Sequence, residues 1–269
     1  MSRVRGLTAV GLLEPIGLDE LVARAALLTR VDRKYVVPMH ALDAALAGLE
    51  PGTRALEIEG RRASAYRSVY FDTPELASFH LAAHGRRRRF KVRTRSYVDS
   101  GGCNLEVKTR GGRSSTVKDR VAHVAGDERT LSAAGLAHVD ATLRDAGIRG
   151  IAAQRLRPTL VTEYDRTTLF IPSDESRATV DTSLAWILDD RRLELPRVAI
   201  VETKSGSRPS AVDRLLWSHG HRPSTISKYG TGLAALRDDL PSNRWGRVLR
   251  RHFADGCTTS TSSTSSSAA

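Results

Sequence analysis

Residues 86–95 read RRRRFKVRTR, and from Lys91 onward charge falls on alternate positions: Lys91, Arg93 and Arg95 on one side, Val92 and Thr94 on the other. A period of two is the mark of a strand, whose side chains point in turn to opposite faces. The pattern recurs along the chain. In LEVKTR, Glu106, Lys108 and Arg110 alternate with Leu105, Val107 and Thr109; Lys118 and Arg120 share a face in TVKDR, Arg177, Thr179 and Asp181 in RATVD, and Glu202 and Lys204 in IVETK. A solvated antiparallel face also alternates, but it mixes Ser, Thr and Gln among its charges, whereas Arg and Lys return here in strand after strand with few carboxylates. Like charges directly opposed on neighbouring strands cost up to about 1 kcal/mol per pair, so an anion is expected to offset them. Strands closed into a barrel with these faces inward enclose a cation-lined tunnel whose carboxylates could hold a divalent metal.

The rest of the composition narrows the setting. Lys plus Arg exceed Asp plus Glu by 42 − 30 = 12, which favours polyanionic partners. A chain of 269 residues with 40% hydrophobic content has room for one well-filled domain or two small ones. Its two cysteines, Cys103 and Cys257, make neither a disulfide framework nor a thiolate metal site, and they point to a reducing, cytoplasmic location. No apolar run reaches the roughly 18 residues of a membrane span, and the N-terminus lacks a secretory signal. Aromatic residues are only 5% of the chain and do not interleave with the basic strands, so no nucleic acid partner is expected.

Periodicity places helices over LDELVARAALLTR and MHALDAALAGL, with the strand VDRKYVVP between them, closed by Pro38. YRSVYFDT reads as a strand that leads into a helix capped by Thr73, with Pro74 at its first position and Gly85 as its stop. Seven or eight strands with flanking helices are expected, an α+β chain. GGRSS at 111–115 lacks the spacing of a phosphate-binding loop and reads as a hairpin turn. The organisation predicted is an N-terminal extension over 1–16, one domain over 17–253, and a disordered Ser/Thr-rich tail over 254–269. His80, His84, His219 and His221 show no zinc-like spacing. Arg86 to Arg89 read as a solvated or tunnel-mouth patch.

Nine segments in order, RKYVV, SVYFDT, KVRTRSY, LEVKTR, STVKDR, EYDRTTL, ATVDTSLAW, VETKSG and ISKYGTG, carry a family resemblance. The chain resembles the catalytic domain of the vacuolar transporter chaperone (VTC) family, polyphosphate polymerases of the triphosphate tunnel metalloenzyme superfamily. The resemblance implies an antiparallel, eight-stranded closed barrel that grips a triphosphate and a divalent metal, Mn²⁺ or Mg²⁺. It implies phosphate contacts at Lys34, Arg93, Arg95, Lys108, Lys118, Arg120, Arg166 and Arg177, a metal-ligating carboxylate at Glu202, and further tunnel cations at Lys204 and Lys228. Within that set Arg93, Arg95, Lys108, Lys118, Arg166 and Lys204 are the catalytic candidates; Lys34, Arg120, Arg177 and Lys228, joined by Lys91 of the alternating cationic strand, are the substrate-binding ones. Glu106 and Asp181 are open to either ion pairing or metal contact, Asp32 to a strand-end cap or an interior place, and Tyr164 and Tyr229 to wall packing. The first strand, VDRKYVV, lacks the paired glutamates usual in the superfamily, which favours the polymerase branch over triphosphatases and cyclases.

The implied function is transfer of the terminal phosphoryl group of ATP to a growing polyphosphate chain. Arg and Lys clamps with a metal can achieve this by positioning and charge neutralisation, without a covalent nucleophile. Two alternatives stand beside it: a metal-dependent inorganic or nucleoside triphosphatase of the same fold, and a non-catalytic polyphosphate-binding module. The expected partners are ATP and polyphosphate, with an unidentified membrane protein as a possible further one.

Overall fold

The computed structural model describes residues 7–25, 31–110 and 116–260. Twelve strands form one sheet: β1 (Glu14–Ile16), β2 (Val31–Pro38), β3 (Arg54–Leu56), β4 (Ser64–Asp72), β5 (Arg89–Tyr97), β6 (Gly102–Arg110), β7 (Thr116–Ala122), β8 (Arg157–Ile171), β9 (Ser176–Leu188), β10 (Arg191–Leu195), β11 (Val198–Ser205) and β12 (Cys257–Ser260). The main helices are α1 (Thr8–Gly11), α2 (Leu18–Arg24), α3 (Met39–Leu46), α4 (Ala77–Ala83), α5 (Ala133–Asp145), α6 (Ala211–Ser218) and α7 (Lys228–Leu236).

The strand order runs β7–β6–β5–β4–β8–β9. β9 is long enough to serve two neighbours: residues 184–188 pair with β10, while residues 177–181 pair with β11, which carries β2. The apolar positions of the alternating strands face outward. Tyr35, Val37, Val180 and Val201 pack there under α3 and α6, and Val92, Leu105 and Val107 pack under α5. Helices thus cover the apolar side and leave the charged side facing inward.

The sheet curls. β11, β9, β8 and β4 lie between β2 and β5 in the strand order, yet Lys34 of β2 repels Lys91 of β5 closely enough to lower its pKa. One end of the concave face is filled by α7, whose Tyr229 and Leu233 join Tyr70, Tyr164 and Trp186 in an inner apolar cluster. Glycine makes that approach feasible: a Cβ on Gly232 would stand 2.0 Å from Cδ1 of Trp186, and one on Gly230 would stand 2.4 Å from Cζ2 of Trp245.

Three expectations are corrected. The barrel is not closed: among the described residues β7 pairs only with β6 and β2 only with β11. At the open edge of β2 the Lys34 carbonyl accepts a hydrogen bond from the Ser224 amide at 2.7 Å, so the segment before α7 occupies part of the edge that a closing strand would use. The helix after β4 begins at Ala77 rather than beside Thr73. Asp72 does most of the capping there, its carboxylate accepting from the Thr73, Ser78 and Phe79 amides at 2.8–2.9 Å, while Thr73 Oγ1 accepts from the Ala77 amide at 3.2 Å. The tail expected to lack structure contributes β12, which pairs with β10. The remainder of the tail and the GGRSS turn lie outside the described residues. At the other end, Val10 and Ile16 of the N-terminal extension are buried against the domain.

Candidate functional site

Among the described residues Glu106, Asp181 and Glu202 point into the concave face, each surrounded by cations, and Asp32 stands on the same face of β2 as Lys34, opposite Lys204 in the register. Glu106 sits on β6 opposite Arg93 of β5 and Arg120 of β7. Its Oε2 accepts from Arg93 Nε at 2.8 Å and Nη2 at 2.6 Å, while Lys118 Nζ lies 2.7 Å and Arg95 Nη1 3.5 Å from Oε1. Burial alone raises the Glu106 pKa, but Arg93, Arg95 and Lys118 outweigh it and hold the carboxyl below the usual carboxylate range. Lys118 moves the other way from an ordinary paired lysine, down to about 8. Burial and two neighbouring guanidiniums act on it, against a single shared carboxylate.

The second carboxylate, Asp181 of β9, is fully buried and is gripped bidentately by Arg166, with Nε 2.6 Å from Oδ1 and Nη2 2.8 Å from Oδ2. Lys228, at the start of α7, also bonds to Oδ2. Burial raises this pKa as well, and Arg166 and Lys228 bring it below the usual range. Asp181 is therefore an ion-pair partner of Arg166 and Lys228. Fork-on-fork geometry of this kind fixes a guanidinium in one orientation.

Glu202 is held more loosely. Lys34 Nζ lies 3.7 Å and Lys204 Nζ 3.3 Å from its oxygens, with no guanidinium fork. Burial opposes its charge, but Lys34, Lys204, Arg166 and Lys108 keep it well below the carboxylate range. Among the described residues no three His, Cys, Asp or Glu side chains converge to hold a metal. A hard divalent cation here would have Glu202 as its carboxylate and phosphate oxygens for most of its shell, a donor set that suits Mg²⁺ or Mn²⁺.

The register leaves a row of cations without enough carboxylate to balance it. Lys91 is directly opposite Lys108, and Lys108 is directly opposite Lys118. Lys91 donates to Ser227 Oγ at 2.9 Å. Its pKa falls well below the lysine range, through burial and then repulsion from Lys34, Lys108 and Arg93. Lys108 is lowered by burial and by Lys34. Arg177 stands opposite Lys204 in the register, whereas Arg120 is exposed on the edge strand β7. Ser227 also caps α7, accepting from the Gly230 amide at 3.0 Å, so the positive end of that helix adds to the field.

The alternation in β4 places Tyr66, Ser68 and Tyr70 on this face, residues that charge patterning alone passes over. Tyr66 and Tyr164 stack with centroids 5.4 Å apart and planes 3° from parallel. Arg166 lies over both rings at 5.4 and 5.2 Å, Arg95 over Tyr66 at 5.6 Å, and Lys228 over Tyr164 at 4.3 Å. Tyr70 OH accepts from Arg93 Nη1 at 2.8 Å. The hydroxyls of Ser68, Thr162, Tyr164 and Thr179 are buried with no hydrogen-bond partner among the described residues. Such groups are costly unless a ligand or water meets them. Tyr229, by contrast, is a wall residue that donates to Asp72.

The family model described as VTC domain matches residues 29–237. Among solved structures, the putative adenylyl cyclase HpAC1 from Hippeastrum, described as having a dominant triphosphatase activity, is similar at 13% identity and a TM-score of 0.49, over 77% of this chain and 96% of that one. The PH1819 protein from Pyrococcus horikoshii is similar at 12% identity and a TM-score of 0.43, over 77% and 99%. No curated protein matches the chain.

Proposed function

The chain belongs to the VTC domain family, and from that premise we propose that it transfers the terminal phosphoryl group of ATP to an inorganic polyphosphate chain lying along the cationic concave face. The observation that carries this reading is the opposed row of Lys91, Lys108 and Lys118. Three ammonium groups in a line, repelling one another, are offset by a linear polyanion better than by a compact one.

The roles follow from chemistry. A terminal oxygen of the polyphosphate chain attacks Pγ of ATP; the new P–O bond forms as the bond from Pγ to the bridging oxygen breaks, and ADP leaves with that electron pair. Charge spreads over the equatorial oxygens in the transition state, and rigid donors lower its energy most. Arg93, held by Glu106 and Tyr70, and Arg166, held by Asp181, are rigid donors. Lys91, Lys108 and Lys118 are the mobile ones, suited to a chain that must advance. Glu202 is the residue to hold a divalent metal, with Lys34 and Lys204 beside it. Bound there, the metal neutralises charge on the phosphates.

The test is incubation of purified protein with ATP and Mn²⁺, following polyphosphate on stained gels and ADP in the same tube. Long chains accompanied by ADP support the polymerase. ADP and free phosphate without chains make the protein a triphosphatase, and polyanion binding without turnover makes it a binding module.

A further inference from the structure

Outside the concave face, α4 and α5 end side by side at a groove of about 690 Å³, within the range of small-molecule sites, about 300–1,000 Å³. Both helices stop in the same way. The Arg86 amide donates to the Leu81 carbonyl and the Gly85 amide to the Ala82 carbonyl; the Ile148 amide donates to the Leu143 carbonyl and the Gly147 amide to the Arg144 carbonyl. Gly85 at φ +65° and Gly147 at φ +67° supply the left-handed residue that such ends require. The last carbonyls are therefore satisfied, and the rim is fixed by backbone.

The groove lining is of two chemical kinds. Arg86, Arg88 and Arg149 form the cationic one, and no carboxylate lines the groove. None of the three guanidiniums makes a salt bridge with a described residue. The negative ends of the two helix dipoles stabilise these cations where they stand, so the groove keeps its charge without an acidic partner. Leu81, Ile148 and Ile151 supply the apolar lining. His80 and His84 add two stacked rings, their centroids 5.9 Å apart and their planes 14° from parallel.

We infer that this groove binds a nucleoside phosphate, its phosphate on the guanidiniums and its base on the apolar wall beside the histidine rings. Planar guanidiniums match phosphate oxygens in pairs, and inorganic phosphate alone would leave the apolar wall unused. The inference does not depend on what the concave face does, because no residue of that face lines the groove. It gives Arg86 and Arg88 a role other than substrate transfer, in a groove that leads directly into β5.

The test is photolabelling of the full chain with 8-azido-AMP, followed by peptide mapping. Labelling is expected within 77–88 or 147–151, suppressed by excess AMP and retained under equimolar inorganic phosphate. The double variant Arg88→Ala/Arg149→Ala is expected to lose labelling about tenfold or more, the equivalent of a lost charge-assisted hydrogen bond, with its melting temperature and tripolyphosphate affinity unchanged. Labelling confined to the strands of the concave face overturns the inference. So does equal protection by phosphate, which would show that the base is not recognised, and so does labelling that survives the double substitution.

Discussion

Glu106→Gln isolates what the inward carboxylates do. The substitution keeps size and shape but removes the charge that Arg93, Arg95 and Lys118 share. Removing one partner of a buried ion pair costs about 3–5 kcal/mol. The lower end applies, about 3 kcal/mol, because Lys118 is 39% exposed and Arg93 20% exposed, so water screens part of the repulsion left behind. For a chain of this size each kcal/mol moves the melting temperature by about 2–4 °C, so the variant should melt about 6–12 °C below the parent. The informative arm adds tripolyphosphate. If Glu106 stands where a substrate phosphate would sit, the variant offers that anion three uncompensated cations, and its thermal shift should exceed that of the parent by most of the lost stability. The assay is thermal unfolding of both proteins at neutral pH with and without tripolyphosphate. Equal or smaller shifts in the variant would refute the reasoning and leave Glu106 as an internal pair out of reach of the substrate.

Other outcomes follow from the same geometry. Lys118, with its pKa near 8, is charged below that pH and neutral above it; tripolyphosphate affinity should therefore fall as pH rises through 8, and Lys118→Arg should hold that affinity to about pH 9 and beyond, since guanidinium stays protonated there. Glu202→Ala should abolish metal-dependent turnover of ATP while tripolyphosphate binding, read by calorimetry, persists or tightens; unchanged turnover would remove Glu202 from the metal site. Gly232→Ala places a Cβ inside the Trp186 ring and strains the Trp186 Nε1 bond to the Lys228 carbonyl, now 2.7 Å. A loss of about 1–3 kcal/mol, typical of overpacking, should appear in chemical denaturation, with weaker tripolyphosphate binding as Lys228 shifts.

The face of each strand was legible from its own residues, because the period-two direction of side chains is a local property of extended backbone. Lys91, Arg93 and Arg95, or Glu202 and Lys204, could be assigned to one side without knowing any neighbour, and the ordered motifs sufficed for the family. Register and curvature are not local. Which cation meets which carboxylate depends on pairing between segments far apart in the chain: Glu106 takes Arg93 across a hairpin, while Asp181 takes Lys228 from a helix 47 residues away. Tyr66 and Tyr70 carried no charge to mark them, and only the sheet shows them under Arg95, Arg166 and Arg93. Closure was the least legible feature. At the open edge of β2 the Ser224 amide occupies the Lys34 carbonyl, part of the edge that a closing strand would use, and edge competition of that kind is decided only once the whole sheet has curled.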